Sequence, residues 1–214
     1  MKKDLGHLRK VYEKGSLEIS SVGTDPLLFF KKWFDQAQSY KIIDEPNAFS
    51  LSTISKDGFP KSRIVLLKSF DSEGFIFYTN YNSEKGKDIL SNPKVGVSFF
   101  WPSLERQIII KGSASKLNDD ISDKYFDSRP IGSRLGAIAS NQSQVIVNRN
   151  ILEQKLDDLK KIYKVNPPKR PKSWGGFKIF PISFEFWQGR PNRLHDRIIF
   201  NKLDKKWSIN RLSP

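Results

Sequence analysis

Apolar positions along this 214-residue chain recur with two different periods, and the switches between them divide it into elements. Over residues 27–40, Leu28, Phe29, Trp33 and Phe34 fall mostly on one face of a helical projection. Asp25 and Pro26 just before them supply an N-cap and a proline at the first helical position. From residue 48 to residue 117 the period shortens to two. Phe49, Leu51 and Thr53 alternate with serines, and the Lys56-Asp57-Gly58-Phe59-Pro60 turn leads into a second strand running through Arg63 to Phe70. Asp71-Ser72-Glu73-Gly74 turns the chain into a third strand over residues 75–79. A short helix over residues 84–90 ends at Ser91-Asn92-Pro93, and strands over 94–101 and 105–117 form a hairpin across Pro102-Ser103.

Helical spacing returns at Asn118, with Asp119 and Asp120 in the first turn, as the helix dipole favours. Ser128-Arg129-Pro130 breaks that helix, and residues 131–139 make a second. Ile151, Leu152, Leu156, Leu159, Ile162 and Tyr163 stripe a third, ended by Asn166-Pro167-Pro168. Strands are expected over 177–188, 193–201 and 207–212. Five strands in one run with little helix between them predict a predominantly β, α+β protein built on an antiparallel barrel, not a doubly wound sheet. Residues 1–23 are polar, contain Gly15 and Gly23, and are expected to form a mobile N-terminal arm ahead of a single domain over 24–214.

Composition narrows the chemistry. The chain has no cysteine, which removes disulfides, thiolate nucleophiles and zinc-thiolate sites, and its two histidines are too few for a histidine-rich metal centre. No metal is expected. No apolar run reaches the roughly 20 residues that span a bilayer, and the N-terminus lacks an apolar signal stretch; a cytoplasmic location with no membrane partner follows. The formal net charge of +14 raises nucleic acid as a partner. The lysines, however, are scattered, whereas Arg9, Arg63, Arg106, Arg129, Arg134, Arg190, Arg193 and Arg197 sit inside motifs. No nucleic-acid motif accompanies them, so lysine reads as solvated surface and arginine as the chemistry.

The densest motif is residues 185–197, where Arg190, Arg193, His195, Asp196 and Arg197 follow an alternating aromatic strand. Arginine's planar fork suits phosphate and carboxylate. Strand alternation predicts Arg193, His195 and Arg197 on one face, with the two cations pressing the imidazole toward its neutral form. Upstream, Arg63-Ile64-Val65-Leu66-Leu67-Lys68 reads as a core strand projecting a cation near each end, on opposite faces. Tyr78-Thr79-Asn80 and Ser83-Glu84-Lys85-Gly86 offer hydroxyls, helix-start amides and an ammonium to a phosphate. Gln107 could meet the edge of a heteroaromatic ring with both donor and acceptor. Tyr125, Arg129 and Ser133 straddle a helix break at four-residue intervals, as three donors for one phosphate dianion would.

These blocks, in this order, together with Asn141-Gln142-Ser143, Trp174-Gly175-Gly176-Phe177 and the closing segment 207–214, resemble the flavin-dependent pyridoxamine (pyridoxine) 5′-phosphate oxidases. The resemblance runs from about Leu5 to Pro214. It implies an FMN-binding split β-barrel that forms a homodimer with FMN at the subunit interface. Arg63, Lys85, Gln142 and Ser143 would contact FMN from phosphate to ribityl chain; Ile64, Val65, Leu66, Leu67 and Lys68, with Tyr78 and Thr79, would line the same site. Gln107, Trp187 and Arg197 would complete the flavin pocket. Lys68, Tyr125, Arg129 and Ser133 would take the substrate phosphate, and Arg193, Leu194 and His195 would face the pyridoxal ring, Arg193 and His195 as the catalytic pair. Arg9 and Tyr12, on the arm, would cover bound substrate. The reaction implied is oxidation of pyridoxamine or pyridoxine 5′-phosphate to pyridoxal 5′-phosphate, with molecular oxygen reduced to hydrogen peroxide.

One position departs from the family. A basic residue usually precedes Lys85, and here it is Glu84, which is expected to weaken attraction for the FMN phosphate unless it points away or pairs with Lys85 or Lys87. Two alternatives stand beside the main reading: a related split-barrel flavin oxidase acting on another aromatic substrate of the phenazine type, and a basic nucleic-acid-binding protein.

Overall fold

The expected cap forms at the first helix, α1 (Pro26–Ser39): the Asp25 carboxylate accepts from the Leu27 N–H at 2.8 Å and the Leu28 N–H at 3.4 Å. The computed structural model describes residues 3–214. After α1 come β1 (Ala48–Ile54), β2 (Pro60–Leu66), β3 (Ser69–Phe70), β4 (Phe75–Asn80), α2 (Glu84–Ser91), β5 (Lys94–Trp101) and β6 (Arg106–Lys116). Helices α3 (Asp119–Ser128), α4 (Ile131–Ala139) and α5 (Asn150–Ile162) follow, then β7 (Trp174–Gln188), β8 (Asp196–Leu203) and β9 (Lys206–Leu212).

The strands form one sheet in the order β2-β1-β5-β6-β7-β4-β3, with β8 joined to β7 and β9. Strand β7 pairs antiparallel with β4 over its first half, Phe77 opposite Phe177, and with β8 over its second, Phe186 opposite Ile198. The antiparallel sheet with flanking helices is the fold class expected from the sequence. Among the described residues no helix is long and apolar enough to cross a membrane.

Two compact units share these elements. One comprises Met1–Ser50, Gly96–Lys111 and Pro181–Pro214. Its core is aromatic: Phe29 and Trp33 of α1 meet the Phe186 ring at 4.8 and 5.4 Å between centroids, and Phe99 meets Phe30 and Phe49, each at 5.2 Å. A fully buried phenylalanine contributes about 1.5–3 kcal/mol through area alone, and edge-on pairs add to that.

The other unit comprises Leu51–Val95 and Gly112–Phe180. Phe75, Phe77, Phe126 and Phe177 are buried there, and Tyr78, Tyr125 and Trp174 stack almost parallel, with Tyr78 and Tyr125 only 3.8 Å apart. Two glycines make room for this packing. A Cβ at Gly175 would collide with the Tyr81 hydroxyl, and one at Gly176 would come within 2.8 Å of the Tyr78 ring.

Three sequence expectations are corrected. Residues 60–70 are not one strand: the ladder breaks after Leu66, and the Lys68 N–H donates to the Ile76 carbonyl at 2.8 Å. Lys68 therefore lies in the break between β2 and β3, not at the far end of a strand from Arg63. Nor is β2 a core strand, since Ile64 is 67% exposed. Finally, β8 begins at Asp196, not at residue 193, because Pro191 starts a 3-10 turn in which Asn192 and Arg193 both take left-handed backbone angles, φ 57° and 61°. Arg193 and His195 precede the strand and share no strand face with Arg197.

Gly86, in the first turn of α2, tests how tightly the second unit is fitted. An added Cβ would meet the backbone carbonyls of Tyr81 and Asn80, which cannot swing aside as a side chain would. Gly86→Ala is therefore expected to destabilise the protein by about 2 kcal/mol, the usual range for overpacking, read as a lowered urea midpoint. An unchanged midpoint would mean that α2 shifts freely.

Candidate active site

Strands β2 and β4, the break at Lys68, and helices α2, α3 and α4 border one cavity of about 640 Å³. Its lining includes Arg63, Ile64, Val65, Leu66, Lys68, Tyr78, Thr79, Lys85, Tyr125, Arg129, Ser133 and Gln142. Twelve residues singled out from the sequence for cofactor or substrate thus come together. Leu67 is buried and does not line the cavity. Ser143, at φ 70°, accepts the Glu84 N–H on its hydroxyl at 3.3 Å.

The charge of this cavity is one-sided: four cationic side chains line it and no carboxylate does. Arg63 is held from below, its Nη1 donating to Thr53 Oγ1 at 2.7 Å and to the Leu51 carbonyl at 3.3 Å, while Asp88 stands 3.9 Å from Nη2. Burial lowers its pKa against the pull of Asp88 and Glu84. Lys85 is only 8% exposed. Its Nζ reaches Ser83 Oγ at 3.4 Å, and burial first, then Arg63, lowers its pKa. Ser83 also caps α2, accepting the Gly86 N–H at 3.3 Å while donating to the Asn80 carbonyl at 2.6 Å.

Arg129 sits against the Trp174 ring, its guanidinium carbon 4.6 Å from the centroid, and burial lowers its pKa as well. Its Nη1 is buried and has no hydrogen-bond partner. An orphaned guanidinium nitrogen costs free energy until an anion reaches it. Thr79 Oγ1 donates to Gln142 Oε1 at 3.3 Å, tying β4 to the loop after α4. The donor set fits a flavin mononucleotide: cations for a phosphate, hydroxyl and amide groups for a polyol, and an aromatic wall for a flat ring. A second phosphate fits the same set, because Lys68, Tyr125, Arg129 and Ser133 remain once Arg63 and Lys85 are assigned to the first.

Glu84 lies at the exposed rim beside Lys85 and forms an ion pair with Lys61 of β2. The hydrogen bond and charge of Lys61 hold its carboxyl below the usual range. The family departure noted in the sequence thus has a cationic partner, but it is Lys61 of β2 and not the expected Lys85 or Lys87.

The remaining sequence-derived residues belong to the other unit. There Tyr12 of the arm presents its ring edge-on to Trp187 and His195, at 5.7 and 5.6 Å, and Trp187 and His195 lie 4.7 Å apart. His195 Nδ1 accepts the Arg190 N–H at 3.1 Å, which leaves Nε2 to carry the proton of the neutral ring. Burial, and secondarily Arg193, lowers the imidazole pKa, so the expected direction holds; Arg197, however, does not contribute to it. Arg197 instead donates to Glu185 Oε1 at 2.8 Å and to the Ser213 carbonyl at 2.9 Å. Gln107 is the second residue of β6, Leu194 is 68% exposed, and the Arg9 Nε donates to the Gly6 carbonyl at 3.0 Å.

Sequence reasoning missed Trp174, Asn80 and Pro130 as lining residues. Trp174 was within reach, because a tryptophan followed by two glycines marks a large ring beside closely approached backbone. It also missed the arm's attachment. Lys14 Nζ donates to the Ser103 carbonyl at 2.8 Å, Arg190 Nη1 to the Gly15 carbonyl at 3.0 Å, and the Leu17 N–H to Asp196 Oδ2 at 3.0 Å.

Comparison with known proteins agrees with this geometry. Residues 36–163 match the sequence profile described as "Pyridoxamine 5'-phosphate oxidase". Residues 174–214 match "Pyridoxine 5'-phosphate oxidase C-terminal dimerisation region". A pyridoxine/pyridoxamine 5'-phosphate oxidase from Christiangramia forsetii is 53% identical over the whole of both chains. One from Flavobacterium psychrophilum is 55% identical over 99% of this chain and 100% of its own. Among solved structures, PhzG from Burkholderia lata 383, in complex with tetrahydrophenazine-1-carboxylic acid, superposes with a TM-score of 0.86 at 28% identity, covering 94% of this chain and 100% of that one. Matched by two profiles and by full-length relatives at about half identity, the chain belongs to the pyridoxamine 5′-phosphate oxidase family.

Proposed function

We propose that this protein is an FMN-dependent oxidase that converts pyridoxamine 5′-phosphate or pyridoxine 5′-phosphate to pyridoxal 5′-phosphate, working as a homodimer. The observation that carries this reading is the cavity lined by Arg63, Lys68, Lys85 and Arg129 with no carboxylate, in which the buried Arg129 Nη1 lacks a partner. Four cations, three of them desolvated, match two phosphates, one on the cofactor and one on the substrate. The full-length relatives and the match to a dimerisation region support the activity and the dimer.

Arg63 and Lys85 bind the FMN phosphate, with Gln142 and Ser143 along the ribityl chain. Backbone over residues 64–68, with Tyr78 and Thr79, would line the cofactor, and the family resemblance adds Gln107, Trp187 and Arg197 as further flavin contacts. Lys68, Tyr125, Arg129 and Ser133 bind the substrate phosphate, which fixes the ring's distance from the flavin. FMN, when bound, would supply the redox chemistry, a two-electron oxidation of the substrate's 4′ carbon with molecular oxygen as the final acceptor, reduced to hydrogen peroxide. Arg193 orients the substrate for hydride departure from that carbon. The two left-handed residues at 192–193 cost of order 1 kcal/mol each, strain that a positioning role for Arg193 explains. His195, neutral with its proton on Nε2, donates a hydrogen bond to the pyridine ring's substituents. Leu194 lies beside them, and Arg9 and Tyr12 cover the substrate from the arm. The phosphate set argues against a phenazine-type substrate, which has no phosphate for Lys68, Tyr125, Arg129 and Ser133 to hold.

Anaerobic mixing of FMN-loaded protein with pyridoxine 5′-phosphate is expected to bleach the flavin's visible absorbance, and admitting air to restore it. A flavin that stays oxidised would move the activity to another substrate. Arg193→Ala is expected to keep its flavin but reduce it about a hundredfold more slowly, the scale of one lost charge contact in a transition state; normal single-turnover reduction would refute that role.

His195 should titrate below the ordinary imidazole value of 6.5. Because its folded pKa is depressed, its contribution to stability is present above pH 6.5 and is lost as the pH falls through the folded value. The imidazole proton resonances, assigned with a His7→Gln variant, report it, and a midpoint at or above 6.5 would contradict the neutral-ring role. Glu84→Arg, which puts a cation where the Lys61 pair now cancels charge, should tighten FMN binding about fivefold at low salt; fluorescence titration showing an equal or weaker affinity would count against a phosphate at that rim.

A further inference from the structure

One buried acid has no part in the reading above. Glu105 is 2% exposed and occupies the left-handed turn between β5 and β6, at φ 55°. Its Oε2 accepts the backbone N–H groups of Glu13, at 2.8 Å, and Lys14, at 3.0 Å, while Oε1 pairs with Lys10 Nζ at 3.1 Å. A buried carboxylate is tolerated only when donors occupy its lone pairs, and here all three donors come from the arm. Burial alone would raise its pKa, but the Lys14 and Glu13 N–H groups and the Lys10 ammonium outweigh burial and hold it low.

The turn that carries Glu105 is braced from behind. The Gly189 N–H donates to the Glu105 carbonyl at 2.8 Å and Gln188 Nε2 to the same oxygen at 3.2 Å. Arg106 Nε in turn donates to Gln188 Oε1 at 2.9 Å, and its guanidinium lies over the Trp33 ring of α1. The carboxylate therefore sits on a braced turn and reaches outward to the arm. Between its Lys10 and Glu13 contacts lies Tyr12, the residue that meets His195 and Trp187. The seat is shaped for it, since a Cβ on Gly189 would come within 2.8 Å of Tyr12.

We propose that Glu105 is a positioning residue whose carboxylate clasps the arm and thereby holds Tyr12 against His195 and Trp187. This rests on the proposed function, in which Tyr12 and His195 face the substrate. The arm's later anchors, at Gly15 and Leu17, do not involve Glu105. Losing the carboxylate should loosen residues 10–14, whose remaining hydrogen bond among the described residues would be that of Lys14 Nζ to the Ser103 carbonyl, while leaving the fold and the flavin cavity as they are.

The test uses the FMN-loaded full chain and compares Glu105→Ala, Glu105→Gln and Lys10→Met. Trypsin cleavage after Lys14, followed by mass spectrometry, reads arm release. Turnover of pyridoxine 5′-phosphate gives KM and kcat, and visible absorbance gives flavin content. In Glu105→Ala, cleavage is expected to quicken and KM to rise, each about tenfold for the loss of charge-assisted hydrogen bonds, with kcat and flavin content within about twofold. Glu105→Gln keeps a carbonyl acceptor for both backbone N–H groups and should recover most of both effects. Lys10→Met should show smaller changes in the same direction.

Unchanged cleavage in Glu105→Ala would overturn the clasp. Faster cleavage with an unchanged KM would overturn its link to the substrate. A fall in kcat and flavin content that glutamine does not rescue would reduce Glu105 to a folding residue. If the wild-type chain does not oxidise pyridoxine 5′-phosphate at all, the functional reading fails, and the cleavage rates of the alanine and glutamine variants still decide the clasp.

Discussion

Withdrawing a cation from water without giving it an anion is costly, and one cavity of this protein does so several times over. Arg63, Lys85 and Arg129 are each desolvated enough for burial to dominate their pKa shifts. The fold answers this cost mostly with fixed dipoles, though the buried carboxylate of Asp88 stands 3.9 Å from Arg63. Thr53 and the Leu51 carbonyl hold Arg63, Ser83 meets Lys85, and the Trp174 face lies under Arg129. Such support orients the cations while leaving the cavity itself free of carboxylates, so a net positive charge faces whatever anion enters it. The surrounding packing, including glycines 86, 175 and 176, keeps backbone close enough for those dipoles to reach.

The two units contribute different chemistry to the reading proposed here. The cavity supplies charge and hydroxyl donors for phosphates. The other unit supplies rings and one titratable group, Tyr12, Trp187 and His195, whose mutual edges and faces are set by aromatic packing. Strand β7 contributes a residue to each, Trp174 to the cavity lining and Trp187 to the aromatic cluster.

Much of this was legible in the sequence where local rules govern. The Asp25-Pro26 cap, the helix break at Arg129-Pro130 and the alternating strands are decided within a few residues, and they appear as expected. Tyr125, Arg129 and Ser133 converge because that break folds two helix ends toward one cavity. Sequence reasoning failed where the backbone leaves its regular period. Alternation carried through residues 60–70 and 193–201 assumed unbroken strands, but Lys68 falls at a ladder break and Arg193 in a left-handed turn. Glu105 was invisible for another reason: its donors lie some ninety residues away, and no local pattern marks an acid as buried.

The ion pair between Lys61 and Glu84 bears on how such a site can change over generations. The two residues sit on different elements, twenty-three positions apart, yet they set the charge of one corner jointly. Replacing either alone shifts that corner by a full charge, whereas exchanging both leaves it as it was. Substitutions at these positions are therefore not independent, and the order in which they arise decides whether the intermediate binds its anion too loosely or too tightly. A lineage carrying an acid beside the buried lysine is committed to keeping a base on the neighbouring strand.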